Sequence, residues 1–319
     1  MSNLRNHRKT SILKDQRVLL ALVIIVIIAI VALINPLFIA PRNIITIFQQ
    51  ISVNGILTMA MAMVLISGGI DLSIGSLMVL SGVAMAQMIS WGMNMPVAVL
   101  IGLVVGIACG LANGLIIALS KCPPMIITLG MSQVFYGIAL TISNGRIMSF
   151  KGAFDFVGKT KIGGIFPVML FVLAAMIFLS SIIMRFTKFG RRIVAIGGNE
   201  TNAYLSGINI TRYKVILYGL VGAFCAVAAV IFSSRIDSIT ANAGTGYETN
   251  ALTAAVMGGV TFAGGEGTIS GAFLGCILIG VISNAMNILQ VQTYIQTIVT
   301  GAIIVAAIVL SNITTRKRG

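Results

Sequence analysis

The sequence predicts an all-α polytopic membrane protein with about ten transmembrane helices. Of its 319 residues, 58% are hydrophobic and 9% are charged, whereas soluble domains carry about 25% charged residues. Apolar stretches near 20 residues recur along the chain, and an α-helix of that length crosses about 30 Å of hydrocarbon. The short alternating segments of an outer-membrane barrel are not found in the sequence. We therefore expect helices, not strands, to span the bilayer.

The first predicted span is the apolar run of residues 18–34, which follows five basic residues: Arg5, Arg8, Lys9, Lys14 and Arg17. A basic flank before an apolar run is also typical of a signal peptide. No small-residue cleavage site follows, and Asn35-Pro36 ends the run, so we expect a retained anchor. The other predicted spans are residues 44–66, 72–90, 97–119, 124–143, 165–184, 214–234, 250–264, 268–289 and 293–312.

The positions of Lys and Arg predict the orientation, because cytoplasmic loops keep positive charge during insertion. With the N-terminus inside, fifteen of the 21 basic residues fall on the cytoplasmic side and six on the other. Both termini are therefore predicted to be cytoplasmic. The predicted organisation is a cytoplasmic arm (1–17), one transmembrane domain (18–312) with a polar cytoplasmic loop (185–213), and a basic cytoplasmic tail (313–319). Topology and anionic lipid headgroups account for the net charge of +14 without nucleic acid.

Residues that could carry chemistry are scarce. The four cysteines, at 109, 122, 225 and 276, have no paired spacing, and the single histidine is His7. The segment Gly152–Thr160 resembles a phosphate loop, but five residues separate its glycines where the motif needs four. We expect no catalytic residue, no metal site and no cofactor bound by this chain.

The seven acidic residues bear on the energy source for transport. Carriers driven by protons or sodium bury ionisable groups at mid-membrane, where an unused charge would be too costly to keep. None of the seven falls clearly at the centre of a predicted span. This argues against a secondary carrier, although unwound backbone could still bind sodium.

Four separated motifs suggest a family. They are residues 68–76 (GGIDLSIGS), residues 190–208, residues 243–248 (AGTGYE) and residues 258–267. Over residues 40–312 the chain closely resembles the permeases of ribose-type, binding-protein-dependent ABC sugar importers. The resemblance implies the ten-helix permease fold also seen, in larger and variant forms, in vitamin B12 and branched-chain amino-acid importers. It also implies the bacterial plasma (inner) membrane, a cytoplasmic ATPase that binds ATP and Mg, an extracytoplasmic sugar-binding protein and a second permease subunit, with a homodimer favoured over a heterodimer.

Within this resemblance, the loop at 185–213 resembles the segment that couples the permease to its ATPase. Arginines supply anchoring charge, a glycine pair allows a tight turn, and Asn199 can cap a short helix from Glu200 to Leu205. A glycine then stops the helix. The alternative is an ordinary solvated loop. The expected coupling residues are Arg191, Arg192, Gly197, Gly198, Asn199, Glu200, Ser206 and Gly207.

Polar side chains on predicted spans are candidates for the solute path, because a sugar needs hydroxyl and amide partners in place of water. The candidates are Gln50, Asn54, Thr58, Asp71, Ser73, Asn284, Asn287 and Gln296. Interhelical hydrogen bonds are the alternative for the polar stripes, and capping of the next helix is the alternative for Asp71.

Glycines at four-residue spacing occupy the fourth predicted span: Gly102, Gly106, Gly110 and Gly114. Small residues at this spacing let another helix backbone approach closely, so they predict helix packing. The partner helix could belong to the same subunit or to its twin.

The sequence thus predicts a transport subunit, not an enzyme. The function implied by the resemblance is that of a permease in an ATP-driven importer for a monosaccharide, ribose or a related sugar. The same machinery for a nucleoside, an autoinducer sugar or an amino acid is the alternative cargo. A stand-alone secondary carrier is the alternative mechanism.

Overall fold

The computed structural model describes residues 16–163 and 166–316. The basic residues Arg5, Arg8, Lys9, Lys14, Lys317 and Arg318 lie outside this range. The helices are α1 (Gln16–Ile34), α2 (Pro41–Ile66), α3 (Ile74–Ser90), α4 (Met95–Ser120), α5 (Pro124–Ser143), α6 (Asp155–Lys159), α7 (Val168–Phe186), α8 (Lys188–Gly198), α9 (Glu200–Leu205), α10 (Ile210–Ile236), α11 (Tyr247–Met257), α12 (Ile269–Ile288) and α13 (Thr293–Arg316). The strands are β1 (Met148–Ser149), β2 (Lys161–Ile162), β3 (Phe166–Pro167) and β4 (Ser238–Ile239).

Seven of the described helices are long and apolar enough to cross a membrane: α1, α2, α4, α5, α7, α10 and α12. Helix α3 and the apolar part of α13, Thr293–Ala306, are shorter. These nine helices coincide with nine of the ten predicted spans. The prediction of a polytopic helical protein is confirmed.

The predicted eighth span, residues 250–264, is not one continuous helix. Helix α11 has 11 residues, so it is about 16 Å long and covers roughly half of the hydrocarbon thickness. It ends at Gly258, and Gly259 follows in the left-handed region with φ of +87°. The apolar content of this stretch predicted helix, but a glycine turn stops it.

The residues on either side of α11 complete this segment. A Cβ added to Gly82 would collide with the Ile239 side chain, and one on Gly75 would collide with the Gly244 carbonyl oxygen. Further along, the Gly265 N–H donates to the Ile66 carbonyl oxygen at 2.8 Å. Residues 238–265 therefore run beside α3 from its middle to its start and then reach the end of α2. They form the short strand β4, a series of turns, a half-length helix and a glycine loop.

Helix α2 lies at the centre of the bundle. In its most apolar stretch of 18 residues, 83% of the residues are buried, whereas the corresponding share in α1 is 17%. It packs against α7, α10, α11 and α12. The stretch from Val53 to Ile66 is apolar apart from Asn54 and Thr58 and is almost entirely enclosed by other parts of the protein, as expected of a helix that is apolar nearly all round.

The glycine ladder of α4 lies against α10 and α3 of the same chain. A Cβ on Gly106 would lie 2.5 Å from the Gly222 carbonyl oxygen, and one on Gly222 would collide with the Gly106 carbonyl oxygen. Gly110 and Gly114 face the α10 backbone at Tyr218 and Val215, and Gly102 faces the Met85 side chain of α3. The two helix backbones approach to a distance that only glycine permits.

Two polar regions lie at opposite ends of α10, which at 27 residues is about 40 Å long. Its first turn follows the polar segment at 185–209. Its last turn leads into β4, which pairs antiparallel with β1 so that Met148 lies opposite Ile239. The Phe150 N–H donates to the Asp237 carbonyl oxygen at 3.0 Å and extends this contact. We call residues 148–159 and 237–239 the β1–β4 platform.

Candidate functional site

The polar segment at 185–213 folds into two short helices with side-chain caps. Thr187 Oγ1 accepts a hydrogen bond from the Gly190 N–H at the start of α8, and Asn199 Oδ1 accepts one from the Asn202 N–H at the start of α9. Gly207, with φ of +80°, follows the end of α9. The helix predicted from Glu200 to Leu205 is present with the same bounds. Local cap and stop residues were sufficient to predict it.

The prediction of a tight turn at Gly197-Gly198 is wrong. Both residues belong to the last turn of α8, and the chain bends one residue later, where Asn199 is extended with φ of −162°. The reason for glycine at 197 is tertiary. A Cβ there would collide with the Ile66 carbonyl oxygen at the end of α2.

Side-chain contacts fasten α8 and α9 to the start of α10. Lys214 Nζ lies 2.7 Å from Glu200 Oε2. The Arg192 guanidinium lies over the Tyr213 ring, with its carbon 5.2 Å from the ring centroid, and donates a hydrogen bond to the Tyr213 hydroxyl. The Phe189 ring also contacts Tyr213, at 5.6 Å between centroids. The segment is thus held as one unit on the longest described helix.

The outer face of this unit is exposed and partly apolar. Tyr204 and Leu205 are 69% and 76% exposed, beside an open groove of about 530 Å³ that Ile208 and Thr211 help to line. Arg191 and Arg192 of α8 are also exposed, while Ile193 and Ile196 of the same helix are buried. Aromatic, aliphatic and arginine side chains exposed together are typical of a protein-binding surface.

A buried polar network surrounds the loop between α2 and α3. Asp71 Oδ1 accepts hydrogen bonds from the Ser73 N–H at 2.8 Å and the Ser73 hydroxyl at 2.6 Å. Asn113 Nδ2 of α4 donates to Ser73 Oγ at 2.8 Å. Thr128 of α5 joins the loop by donating to the Ile70 carbonyl oxygen. Ser73, not Asp71, occupies the capping position of α3, so Asp71 organises the turn before the helix.

The Asp71 carboxyl is nearly inaccessible, at 1% exposure. Burial removes hydration from the charged form and raises the pKa of Asp71 to about 6, against the lowering effect of the two Ser73 hydrogen bonds. Its Oδ2 atom has no hydrogen-bond partner among the described residues, and the same holds for Asn113 Oδ1 and the Tyr218 hydroxyl. The network therefore retains unused hydrogen-bonding capacity.

Gln50, Asn54 and Thr58 lie four residues apart on α2 and form a polar stripe that is partly enclosed. Thr58 is fully buried and its hydroxyl donates to the Asn54 carbonyl oxygen at 2.6 Å. Asn54 and Gln50 are half-buried. Asn54 Oδ1 finds no hydrogen-bond partner within the described part of the chain. Asn54 is thus the member of the stripe with a side chain that can accept a new partner.

The candidates on the last two helices are engaged in contacts within the protein. Asn284 of α12 and Asn43 of α2 exchange amide hydrogen bonds, at 2.9 Å and 3.2 Å. Gln296 Nε2 of α13 donates to Asn287 Oδ1 at 3.0 Å and to the Val291 carbonyl oxygen at 2.8 Å. These bonds join neighbouring helices and their connecting turn.

Sequence reasoning missed three partners in these networks: Asn43, Asn113 and Thr128. Each lies on a membrane-length helix, 40 or more residues from the group to which it bonds. Only the polar residue type on an apolar helix could have drawn attention to them. Within the described ranges, no group of three or more His, Cys, Asp or Glu side chains could hold a metal ion.

A bundle of membrane-length helices, a polar interior loop and a capped, exposed segment at one end define the class of a multi-helix transport permease. The chain belongs to the family described as branched-chain amino acid transport system / permease component, whose profile matches residues 43–308. As a permease of an ABC import system it is a transport component of the plasma membrane, and such a permease implies an ATPase and a binding protein as partners.

The relatives carry sugar names. The ribose import permease protein RbsC of Bacillus subtilis (strain 168) is 40% identical, over 88% of each chain. Its counterpart in Escherichia coli (strain K12) is 36% identical over 94% of each chain. The D-allose transport system permease protein AlsC of Escherichia coli (strain K12) is 35% identical, over 86% of this chain and 85% of its own. No solved structure matches the chain at a significant level.

Proposed function

We propose that this chain is the permease of an ATP-driven importer for a monosaccharide, ribose or a close relative of ribose. The observation that carries the proposal is the 40% identity with a ribose permease along 88% of both chains. The 35% identity with an allose permease points to the same class of solute. Candidate path residues that are uncharged, such as Asn54 and Gln50, suit a neutral sugar.

The proposed partners are a cytoplasmic ATPase, an extracytoplasmic sugar-binding protein and a second copy of this chain. The ATPase docks on the coupling segment, residues 185–213, and holds ATP and Mg itself. The exposed side chains of Tyr204 and Leu205, and of Arg191 on the preceding helix, support this assignment. The binding protein docks at the other end of α10, on the β1–β4 platform. There, exposed Lys151 supplies charge that an acidic surface would complement.

The proposed topology has ten crossings and two cytoplasmic termini. Nine crossings are helices, and residues 238–265 make the remaining crossing as a discontinuous segment. Irregular backbone at membrane depth is tolerated when protein surrounds it, and this segment lies against α3 and α2. The arm (1–17) and the tail (313–319) flank a single permease domain (18–312).

The proposed mechanism is the one that the resemblance to ABC sugar importers implies. ATP binding closes the paired ATPases and moves the coupling segments of the two permeases. The moving segments switch the path between helices so that it faces the docked binding protein, and hydrolysis resets it. The permease contributes shape, hydrogen bonds and transmission of force, and no bond of the sugar changes.

The cargo is tested by calorimetric titration of the binding protein that serves this permease with ribose, allose, xylose, leucine and uridine. We expect ribose to bind most tightly, and allose or xylose more weakly. Leucine or uridine bound in preference to every sugar would overturn the monosaccharide assignment while leaving the ABC machinery in place.

A further inference from the structure

Three glycine pairs from distant parts of the chain meet at one point. They are Gly68-Gly69 after α2, Gly197-Gly198 at the end of α8, and Gly264-Gly265 in the loop after α11. A Cβ on Gly264 would lie 2.7 Å from the Gly197 carbonyl oxygen and 2.7 Å from the Gly68 Cα. A Cβ on Gly265 would lie 2.7 Å from the Gly198 Cα. We call the three pairs the glycine junction.

A single hydrogen bond lies at the centre of the glycine junction. The Ile66 carbonyl, at the C-terminus of α2, accepts from the Gly265 N–H at 2.8 Å. Carbonyls in the last turn of a helix have no partner within that helix, so this one is satisfied by the loop from the discontinuous segment. A Cβ on Gly197 would collide with the Ile66 oxygen and lie 2.6 Å from the Gly265 nitrogen. The end of α8 thus covers both atoms of the bond.

Backbone packed on backbone transmits displacement more directly than side chains do. Side chains can change rotamer to absorb a shift, whereas these glycines have no side-chain torsion to adjust. Gly264 and Gly265 hold φ of +81° and +74°, a region that few other residues adopt. Ile193 and Ile196, both buried, fix the rest of α8 to the protein. A movement of α8 must therefore carry the ends of α2 and of the discontinuous segment with it.

We propose that Gly197 and Gly265 are positioning residues that transmit the ATP-driven movement of the coupling segment to α2 and to residues 238–265. This rests on the proposed function, because it assigns the coupling role to 185–213. It goes further by naming where the movement enters the membrane domain. Helix α2 is the central helix and carries Asn54, so its displacement alters the proposed path directly.

The test compares Gly197→Ala with Gly130→Ala in the complex with the ATPase and binding protein. Gly130 is exposed on α5, and a Cβ there meets nothing within 4 Å among the described residues. Both variants should assemble with the ATPase. We expect Gly197→Ala to lower the ribose transported per ATP hydrolysed by roughly 5- to 150-fold, the usual range of coupling between sites. Gly130→Ala should retain the wild-type ratio.

A wild-type ratio in Gly197→Ala would overturn the proposal while the proposed function stands. Absence of coupled transport in the unmodified complex would overturn the proposed function, and the junction's role with it. If both variants transport less ribose per ATP hydrolysed than the wild type, the permease is generally intolerant of alanine, and this result would also contradict the proposal.

A second measurement keeps the test informative if Gly197→Ala does not fold. Spin labels are attached through the substitutions Ala195→Cys and Ala263→Cys, both at exposed positions. The exposed Cys122 is replaced by serine so that it takes no label, and unlabelled partner copies are added in excess. Across the junction, the distance between the labels should be the same without nucleotide and with ATP. Labels on Ala195 of both copies should change their separation between the same states. A change in the Ala195 to Ala263 distance on ATP binding would contradict a rigid junction.

Discussion

Lys214 Nζ and Glu200 Oε2 lie 2.7 Å apart, and this ion pair joins the short helix α9 to the first turn of α10. The Lys214 side chain is 16% exposed, whereas that of Glu200 is 56% exposed. The lysine stem is therefore packed and the carboxylate is half in solvent. Since α10 runs the length of the protein, the pair fixes the exposed Tyr204-Leu205 edge to the helix that reaches the opposite end.

Reversal of the charge at Glu200 should disrupt docking of the ATPase more than folding of the permease. Glu200→Lys places two lysines together at the α9–α10 contact, so we expect loss of co-purification with the ATPase. The unfolding free energy should fall by less than about 1 kcal/mol, because partly exposed ion pairs contribute little. The double variant Glu200→Lys with Lys214→Glu should recover part of the docking. Wild-type ATPase yield from the single variant would count against a coupling role for α9.

Close approach of α4 and α10 predicts a strong effect of one methyl group. Gly222→Ala directs a Cβ into the Gly106 carbonyl oxygen, a backbone atom that cannot move aside. Overpacking of this kind costs about 1–3 kcal/mol, so thermal unfolding in detergent should shift to clearly lower temperature. Gly137→Ala on α5 is the matched control, since its Cβ meets nothing within 4 Å among the described residues. Equal melting temperatures for the two variants would contradict the packing.

Asn54 and Asn284 should respond differently to loss of the amide. Asn284→Ala breaks the exchange with Asn43, and membrane hydrogen bonds of this type contribute about 0.6–2 kcal/mol. We expect lower stability and a non-additive effect with Asn43→Ala. Asn54→Leu should leave stability nearly unchanged and reduce ribose transport, because its Oδ1 has no partner to lose within the described chain. If the losses of stability in Asn43→Ala and Asn284→Ala are additive, the two amides do not stabilise the protein through their mutual hydrogen bonds. Normal ribose transport by Asn54→Leu would refute a role for Asn54 in the solute path.

The buried Asp71 predicts a pH-dependent stability. Burial raises the pKa of Asp71 in the folded protein to about 6, above the usual value for an aspartate, so the ionised form destabilises the fold. The destabilisation is absent below about pH 4 and complete above about pH 6, with an upper limit of about 3 kcal/mol. Asp71→Asn keeps an oxygen for the two Ser73 bonds and should melt at a higher temperature than wild type at about pH 8. The difference in melting temperature between Asp71→Asn and the wild type should shrink toward pH 5. An equal difference at pH 5 and pH 8 would contradict the raised pKa of Asp71.

Sequence patterns that act locally predicted most of the fold. Apolar length placed nine helices within a few residues of their ends, and cap chemistry placed α9 from Glu200 to Leu205. The misplaced features depend on distant contacts. Gly197 is glycine because the Ile66 carbonyl oxygen lies against it, and Gly258, where the predicted eighth span is interrupted, packs against the Gly271 backbone. In the candidate site, the Asp71 to Ser73 turn is local, whereas its link to Asn113 joins residues far apart in sequence.

As an importer permease, this chain should move a monosaccharide only when a partner supplies ATP hydrolysis and a binding protein supplies the sugar. The most direct measurement is uptake of labelled ribose by proteoliposomes that hold the permease alone, with the ATPase, or with the ATPase and binding protein. We expect ATP-dependent uptake in the complete mixture and none above background in the other two. Uptake by the permease alone that an ionophore abolishes would identify a secondary carrier and contradict the role of an ATP-driven permease.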